Sequence, residues 1–180
     1  KAIIELDIDL IKKYEKEKSP YYTTYPTGGE WKSGFIAEDY LTALEETLPK
    51  NKEVPMALYV HIPFCKKLCY FCFCITYITD NREQISKFTK YLFREIKMLS
   101  EFFKKKSIIP KVKEIHLGGG TPTYLTKDEF NELIKNLQLL ADVNNLDEFA
   151  LEIDPRTVTK EDMKYYFSKG INRISLGIQD

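Results

Sequence analysis

Four short stretches of this sequence alternate apolar and polar residues with a period of two, and helical patterns separate them. In the first, Leu58, Val60 and Ile62 alternate with Ala57, Tyr59 and His61; in the second, Ile115 and Leu117 alternate with Glu114, His116 and Gly118. In the third, Phe149, Leu151 and Ile153 alternate with Ala150, Glu152 and Asp154. In the fourth, Ile174, Leu176 and Ile178 alternate with Arg173, Ser175, Gly177 and Gln179. Strands alternating with helices imply parallel βα units. Parallel strands covered on both faces read as continuous apolar runs, so strands that are apolar on one side only need a wet or ligand-filled opposite face. A curved α/β sheet, a partial parallel (β/α) barrel with helices outside and a polar cavity inside, meets that need. An antiparallel sheet with one solvated face would also meet it, but the intervening helices argue against it.

The segments between the strands carry their own punctuation. Met56 to Pro63 reads as the first strand, and Asp80 to Lys104 as a long helix with Ile85, Phe88, Leu92, Ile96, Leu99 and Phe103 at three- and four-residue steps. Val112 to Leu117 is the second strand. Thr126 with Glu129 forms a capping box for the next helix, with Leu125 and Phe130 as a staple pair. Glu148 to Ile153 is the third strand. Thr159 with Asp162 opens the following helix, Val158 and Met163 are its staple, and Gly170 stops it. Arg173 to Ile178 is the fourth strand.

Residues 1–50 read as an N-terminal helical arm. Asp7 to Lys18 is a short helix with Ile8, Ile11 and Tyr14 on one side, ended by Ser19-Pro20. Pro20 to Gly29 holds three tyrosines among prolines and glycines, the composition of an ordered loop rather than a linker. Ala37 to Leu48 is a second helix. Residues 51–180 read as the front part of a catalytic barrel, because the fourth strand stops with nothing to cover its edge. A chain that starts at Lys1 rather than Met is expected to lack an N-terminal piece as well.

The 180 residues are 43% hydrophobic and 13% aromatic, enough for a core and too much for a disordered tail. Lys and Arg number 27, as do Asp and Glu, so no net field draws the chain to nucleic acid or an anionic membrane. No apolar run approaches the roughly 18 residues of a membrane span, and no signal peptide is visible. A cytoplasmic enzyme without nucleic-acid or membrane partners is expected.

All four cysteines, Cys65, Cys69, Cys72 and Cys74, fall within ten residues directly after the first strand. A disulfide framework would spread them to close loops. Zinc commonly takes two separated pairs around one tetrahedral ion, and the spacing of Cys72 and Cys74 is cramped for that. An iron-sulfur cube holds its irons farther apart, so thiolates of one loop can each take a corner. The spacing favours a cluster over zinc, with an unliganded structural role the remaining alternative. Cys74 is open to two readings, a fourth ligand of a closed electron-transfer cluster or a non-ligand beside an open one.

Cys65-x3-Cys69-x2-Cys72 after the first strand of a βα barrel resembles the signature of the radical S-adenosylmethionine superfamily. The string Tyr59-Val-His-Ile-Pro-Phe-Cys-Lys-Lys-Leu-Cys-Tyr-Phe-Cys-Phe-Cys74 is similar to that of the oxygen-independent coproporphyrinogen III oxidase (dehydrogenase) family. Gly118-Gly-Gly-Thr-Pro-Thr123, Glu152-Ile-Asp-Pro-Arg156, Gly177-Ile-Gln-Asp180 and Tyr22-Thr-Thr-Tyr-Pro-Thr27 carry the same resemblance, which spans about residues 7–180.

The resemblance implies that Cys65, Cys69 and Cys72 bind a 4Fe-4S cluster while Cys74 stays unliganded. S-adenosyl-L-methionine would chelate the open iron, and its reductive cleavage would give a 5′-deoxyadenosyl radical. That radical would start oxidative decarboxylation of propionate side chains of coproporphyrinogen III to vinyl groups, a step of haem synthesis. Tyr59, Gly119 and Glu152 match family positions that contact this cofactor. Phe71, Gly120, Thr121 and Gln179 match positions that contact a second S-adenosylmethionine. A barrel of six βα units, four of them present here, a tetrapyrrole substrate, an electron donor such as flavodoxin or ferredoxin and a monomeric state are implied too. No catalytic residue is assigned.

The residues support some of this on their own terms. Gly118 to Gly120 ends the second strand, where parallel sheets place ligands, and no phosphate-loop lysine follows it. Glu152 on a polar face needs a donor, either a ribose hydroxyl or ammonium group or a basic neighbour such as Arg173. Two histidines on the same face, His61 and His116, strengthen the case for a site. Asp154-Pro155-Arg156 reads as a strand-ending turn with a surface ion pair, outside the candidate set. Phe64, Phe71 and Phe73 are candidates to keep water from the cysteines, with Phe64 better read as core filling.

Three departures bear on substrate. Phe73 and Ile75 stand where the family usually has Gly and Asn, and Tyr21 stands where it has Arg, which removes a fixed cation. The rival readings are a related haem-binding chaperone and another tetrapyrrole-modifying enzyme. Retention of Cys74 and the tyrosine-rich arm argues against the chaperone.

Overall fold

The strand with the first cysteine at its end, β1 (Met56–Ile62), lies beside β4 (Val112–Gly119), which pairs with β5 (Glu148–Ile153), which pairs with β6 (Arg173–Leu176). All three pairings are parallel. The computed structural model describes residues 8–14, 33–50, 53–72 and 74–177. The expectations for Asp7, residues 15–32, Phe73 and residues 178–180 lie outside them. Those include Gln179, the tyrosine-rich segment with Tyr21 and Tyr22 to Thr27, and the ends of the first helix and last strand.

The helices sit between the strands. α3 (Arg82–Lys105) connects β1 and β4, α4 (Lys127–Leu137) connects β4 and β5, and α5 (Lys160–Ser168) connects β5 and β6. Each strand thus pairs in parallel with the next strand of this sheet across one helix, and the result is a mixed α/β fold whose parallel sheet does not close among the described residues. Asn81 rather than Asp80 starts α3, its side chain accepting from the Glu83 and Gln84 N–H groups. Both capping boxes form, Thr126 with Glu129 and Thr159 with Asp162. α5 stops where Gly170 takes φ +94°, a conformation that favours glycine. Among the described residues no helix is long and apolar enough to cross a membrane.

The apolar strand residues do form the core. Ile62, Ile115, Leu117, Phe149 and Leu151 are fully buried, together with Ile85, Phe130, Leu133 and Leu137 from the helices. Each such side chain contributes about 1.5–3 kcal/mol relative to exposure. Leu125 and Phe130 share this core, and Val158 and Met163 pack on its margin. The fourth strand differs from expectation: Ile174 is 42% exposed and Leu176 53%. β6 has one sheet neighbour, β5, so nothing among the described residues covers that side.

A second, two-stranded parallel sheet has no counterpart in the sequence reading. β2 (Phe64–Cys65) pairs with β3 (Tyr77–Ile78). Tyr77 N–H donates to Pro63 O at 2.6 Å and Thr79 N–H to Cys65 O at 3.1 Å, so both ends of the cysteine loop are tied together.

The chain divides into two units, Lys1–Tyr40 and Leu41–Asp180. The first contains α1 (Ile8–Tyr14), on which Ile8 is exposed. α2 (Ala37–Thr47) begins in it and ends in the second, where Leu44 and Leu48 pack against the core. Every feature of the candidate site lies in the second unit.

Candidate functional site

Parallel register brings the polar faces of three strands into one row. Tyr59 on β1 lies opposite His116 on β4, His61 opposite Gly118, and His116 opposite Ala150 on β5. The Tyr59 ring stacks on the His116 ring with centroids 5.6 Å apart at 26°. His116 Nε2 lies 2.9 Å from Glu152 Oε1. A carboxylate accepts, so this nitrogen carries the proton and donates. The other oxygen, Oε2, accepts from the Gly119 N–H at 3.1 Å. Both carboxylate oxygens of Glu152 are thus aimed by fixed donors, while each keeps lone pairs for a further donor.

Arg173 is not the partner of Glu152. Register sets Arg173 opposite Ala150, and its guanidinium donates to Glu148 Oε1 at the base of the strand. Glu152, two residues farther along, is left to face the site.

His61 continues the row toward the cysteines. Its Nε2 lies 2.8 Å from the Ile75 carbonyl, which only accepts, so Nε2 donates. In the neutral ring Nδ1 then accepts from the Tyr59 hydroxyl, 3.3 Å away. His61 therefore ties β1 to the far end of the cysteine loop through the main chain just after Cys74. Burial, with the Glu152 and Cys74 charges behind it, pushes the Tyr59 phenol up from its ordinary pKa, which keeps its proton in place for that bond.

The three glycines make room for this chain's own groups. A Cβ on Gly118 would lie 2.9 Å from the Glu152 carboxylate. One on Gly119, whose φ is +112°, would lie 2.7 Å from the His61 ring. One on Gly120 would lie 2.8 Å from the Phe64 carbonyl oxygen and 2.9 Å from Cys65 Sγ. That last approach is held by main-chain bonds: Gly120 N–H donates to Ile62 O at 2.8 Å and Thr121 N–H to Phe64 O at 2.9 Å. The triglycine is thus a seat for the start of the cysteine loop.

Cys65, Cys69 and Cys72 are half-buried, Cys74 is exposed, and all four are free thiols. Cys65 Sγ sits 3.3 Å from the Thr121 hydroxyl. Burial pushes the Cys65 thiol up, the Thr121 hydroxyl opposes this, and Cys72, Cys69 and Asp154 add to the rise. Cys72 N–H donates to Cys69 O at 3.1 Å, folding the middle of the loop into a turn. Burial, then Cys72, pushes Cys74 up. Among the described residues no three His, Cys, Asp or Glu side chains gather as they would around a single metal ion. Three free cysteine sulfurs on one tied loop are the kind of donor a 4Fe-4S cluster takes, each on its own iron.

Phe64 is buried, edge-on to Phe88 with centroids 5.2 Å apart, which makes it core filling. Phe71 is half exposed, as are the neighbouring loop side chains of Leu68 and Ile75 to a greater degree. Sequence reasoning left Arg156 out of the site, yet its Nη2 reaches Cys69 Sγ at 3.8 Å. The motif Asp154-Pro155-Arg156 was the available signal; the partner, far away in sequence, was not.

Residues 59–180 match the model of the radical SAM superfamily. The oxygen-independent coproporphyrinogen III oxidase of Pseudomonas aeruginosa is 38% identical over 181 residues, covering 98% of this chain and 38% of that protein. A sequence of the same description from Mannheimia haemolytica is 41% identical over 149 residues, covering 83% of this chain and 96% of that sequence. The solved structure of coproporphyrinogen III oxidase from Escherichia coli, described as a radical SAM enzyme, superposes with a TM-score of 0.72 at 35% identity. That likeness covers 98% of this chain and 37% of the other. The chain spans under two fifths of the length of the Pseudomonas and Escherichia relatives.

Proposed function

This chain belongs to the radical SAM superfamily and to its oxygen-independent coproporphyrinogen III oxidase family, and from that premise we propose that it carries the radical-generating part of an enzyme that decarboxylates coproporphyrinogen III propionates to vinyl groups. Residues 51–180 are then the front of the catalytic barrel and residues 1–50 its arm. The observation that supports this most is the tied loop bearing Cys65, Cys69 and Cys72, seated on Gly120 and Thr121 beside the polar row of Tyr59, His116 and Glu152.

Cys65, Cys69 and Cys72 hold a 4Fe-4S cluster, and Cys74, the exposed member, stays free. The bound cluster with S-adenosyl-L-methionine supplies one-electron reductive cleavage and, through it, hydrogen abstraction from the substrate. The chain's own residues position and protect. Glu152, oriented by His116 and the Gly119 N–H, accepts a hydrogen bond from a hydroxyl or ammonium of the cofactor. Tyr59 flanks it, its hydroxyl kept protonated and turned to His61. Gly119 keeps its N–H on Glu152, and its lack of a side chain makes room for the His61 ring. Phe71, Gly120 and Thr121, with Gln179 by its match to the family's sequence alone, would contact the second S-adenosylmethionine. The electron comes from a small donor such as flavodoxin or ferredoxin, and the enzyme works as a cytoplasmic monomer.

The test is anaerobic incubation of the protein with coproporphyrinogen III, S-adenosylmethionine and a reductant. Appearance of vinyl product, two per porphyrinogen, with matching methionine and 5′-deoxyadenosine is the expected outcome. Tight haem binding with no vinyl product would instead point to a chaperone.

A further inference from the structure

Arg156 lies beside the cysteines and is left unused by the activity above. It follows β5 by a short turn in which Thr157 N–H and the Thr157 hydroxyl both donate to Asp154 O, at 3.0 and 2.9 Å. Asp154 then grips the guanidinium with both carboxylate oxygens: Arg156 Nε donates to Oδ1 at 2.9 Å and Nη2 to Oδ2 at 2.7 Å. The Arg156 N–H also donates to Oδ1, at 3.0 Å. Two-toothed pairing of this kind fixes the planar fork as well as its charge. The same Nη2 points at Cys69 Sγ, 3.8 Å away. An exposed arginine at the protein surface would normally sample many rotamers, and its side chain here is 72% exposed. This one is clamped where its cation meets a sulfur of the middle cysteine.

We propose that Arg156, locked by Asp154, is a positioning residue that places a fixed positive charge and an N–H donor on the sulfur of Cys69 and so makes the cluster easier to reduce. The inference rests on the cluster reading of Cys65, Cys69 and Cys72. Its physical ground is general: hydrogen bonds to ligand sulfurs and local net charge set cluster potentials. A reduced cluster carries one more negative charge than an oxidised one, so a neighbouring cation favours the reduced form. The turn that carries Arg156 comes from the same strand as Glu152, and one element therefore carries both the carboxylate that holds the cofactor and the cation that tunes the metal.

The experiment compares the anaerobically reconstituted protein with its R156Q and R156K variants in a redox titration followed by electron paramagnetic resonance. Iron and sulfide content is measured on each sample. At a fixed ambient potential near the midpoint, R156Q is expected to show about a tenfold lower ratio of reduced to oxidised cluster, or about 59 mV for a one-electron couple. R156K keeps the charge but cannot span Asp154 with two nitrogens while donating to sulfur, so a fall of roughly threefold is expected. A purely structural turn would change stability and leave the potential alone. If R156Q fails to take up the cluster, R156K decides, and a ratio equal to the unsubstituted protein's overturns the inference. A loaded R156Q protein with the unsubstituted ratio also overturns it, while leaving the cluster reading intact. An unsubstituted protein that takes up no iron or sulfide overturns both.

Discussion

Alanine at Cys65, Cys69 or Cys72 is expected to abolish cluster uptake, whereas alanine at Cys74 leaves it near the unsubstituted level. Partners of a metal ligand are worth about 10–100-fold in metal affinity by themselves, so loss of a ligand should exceed that. The three positions are not equivalent in their other roles. Cys65 lies in β2, and its sulfur meets the Thr121 hydroxyl that seats the loop. Cys69 lies in the middle of the loop, its main chain bonded to Cys72 and its sulfur near Arg156. Cys74 is exposed and next to the carbonyl of Ile75 that anchors His61. Iron and sulfide analysis with absorbance near the cluster's visible band distinguishes the four variants. Loss of iron in Cys74→Ala at the level of the other three would mean a closed, fully protein-ligated cluster, and the open corner required for the cofactor would not exist.

Gly119→Ala is expected to be strongly destabilising. Alanine at φ +112° carries backbone strain of about 1–3 kcal/mol. The added methyl also lies 2.7 Å from the His61 ring, which the Ile75 carbonyl holds in place from the other side. Displacing that ring costs a further overpacking term of about 1–3 kcal/mol. A loss of at least about 2 kcal/mol in urea unfolding, at unchanged m-value, is the expected result. A double-mutant cycle separates the two contributions. In His61→Ala the ring is gone, so adding Gly119→Ala should cost only the backbone part. Equal costs in both backgrounds would show that the glycine is needed for its φ alone and that His61 does not close on it.

How much of this the sequence discloses depends on how far apart the partners lie. Period-two alternation identifies the buried side of the first three strands, since burial acts on every second residue along one strand. The capping boxes are legible because donor and acceptor are three residues apart. The polar row of Tyr59, His116 and Glu152 is legible as a shared face, and register turns it into a connected chain of contacts. β2 and β3 are not legible, because two-residue strands carry no period. The pairing of Arg173 with Glu148 rather than Glu152 depends on a register that no single strand contains. The roles of Gly118, Gly119 and Gly120 are likewise invisible locally, since what each would strike comes from β5, β1 or the cysteine loop. The exposed Ile174 and Leu176 show the reverse limit: an apolar alternation states what a strand could bury, and burial requires a neighbour.

The most direct test of the account is the paramagnetic resonance spectrum of the reduced, anaerobically reconstituted protein before and after S-adenosylmethionine is added. Three thiolates and an open iron corner predict about four irons and four sulfides per chain and a spectrum that changes when the cofactor binds. One zinc per chain, or a cluster spectrum indifferent to the cofactor, would contradict it.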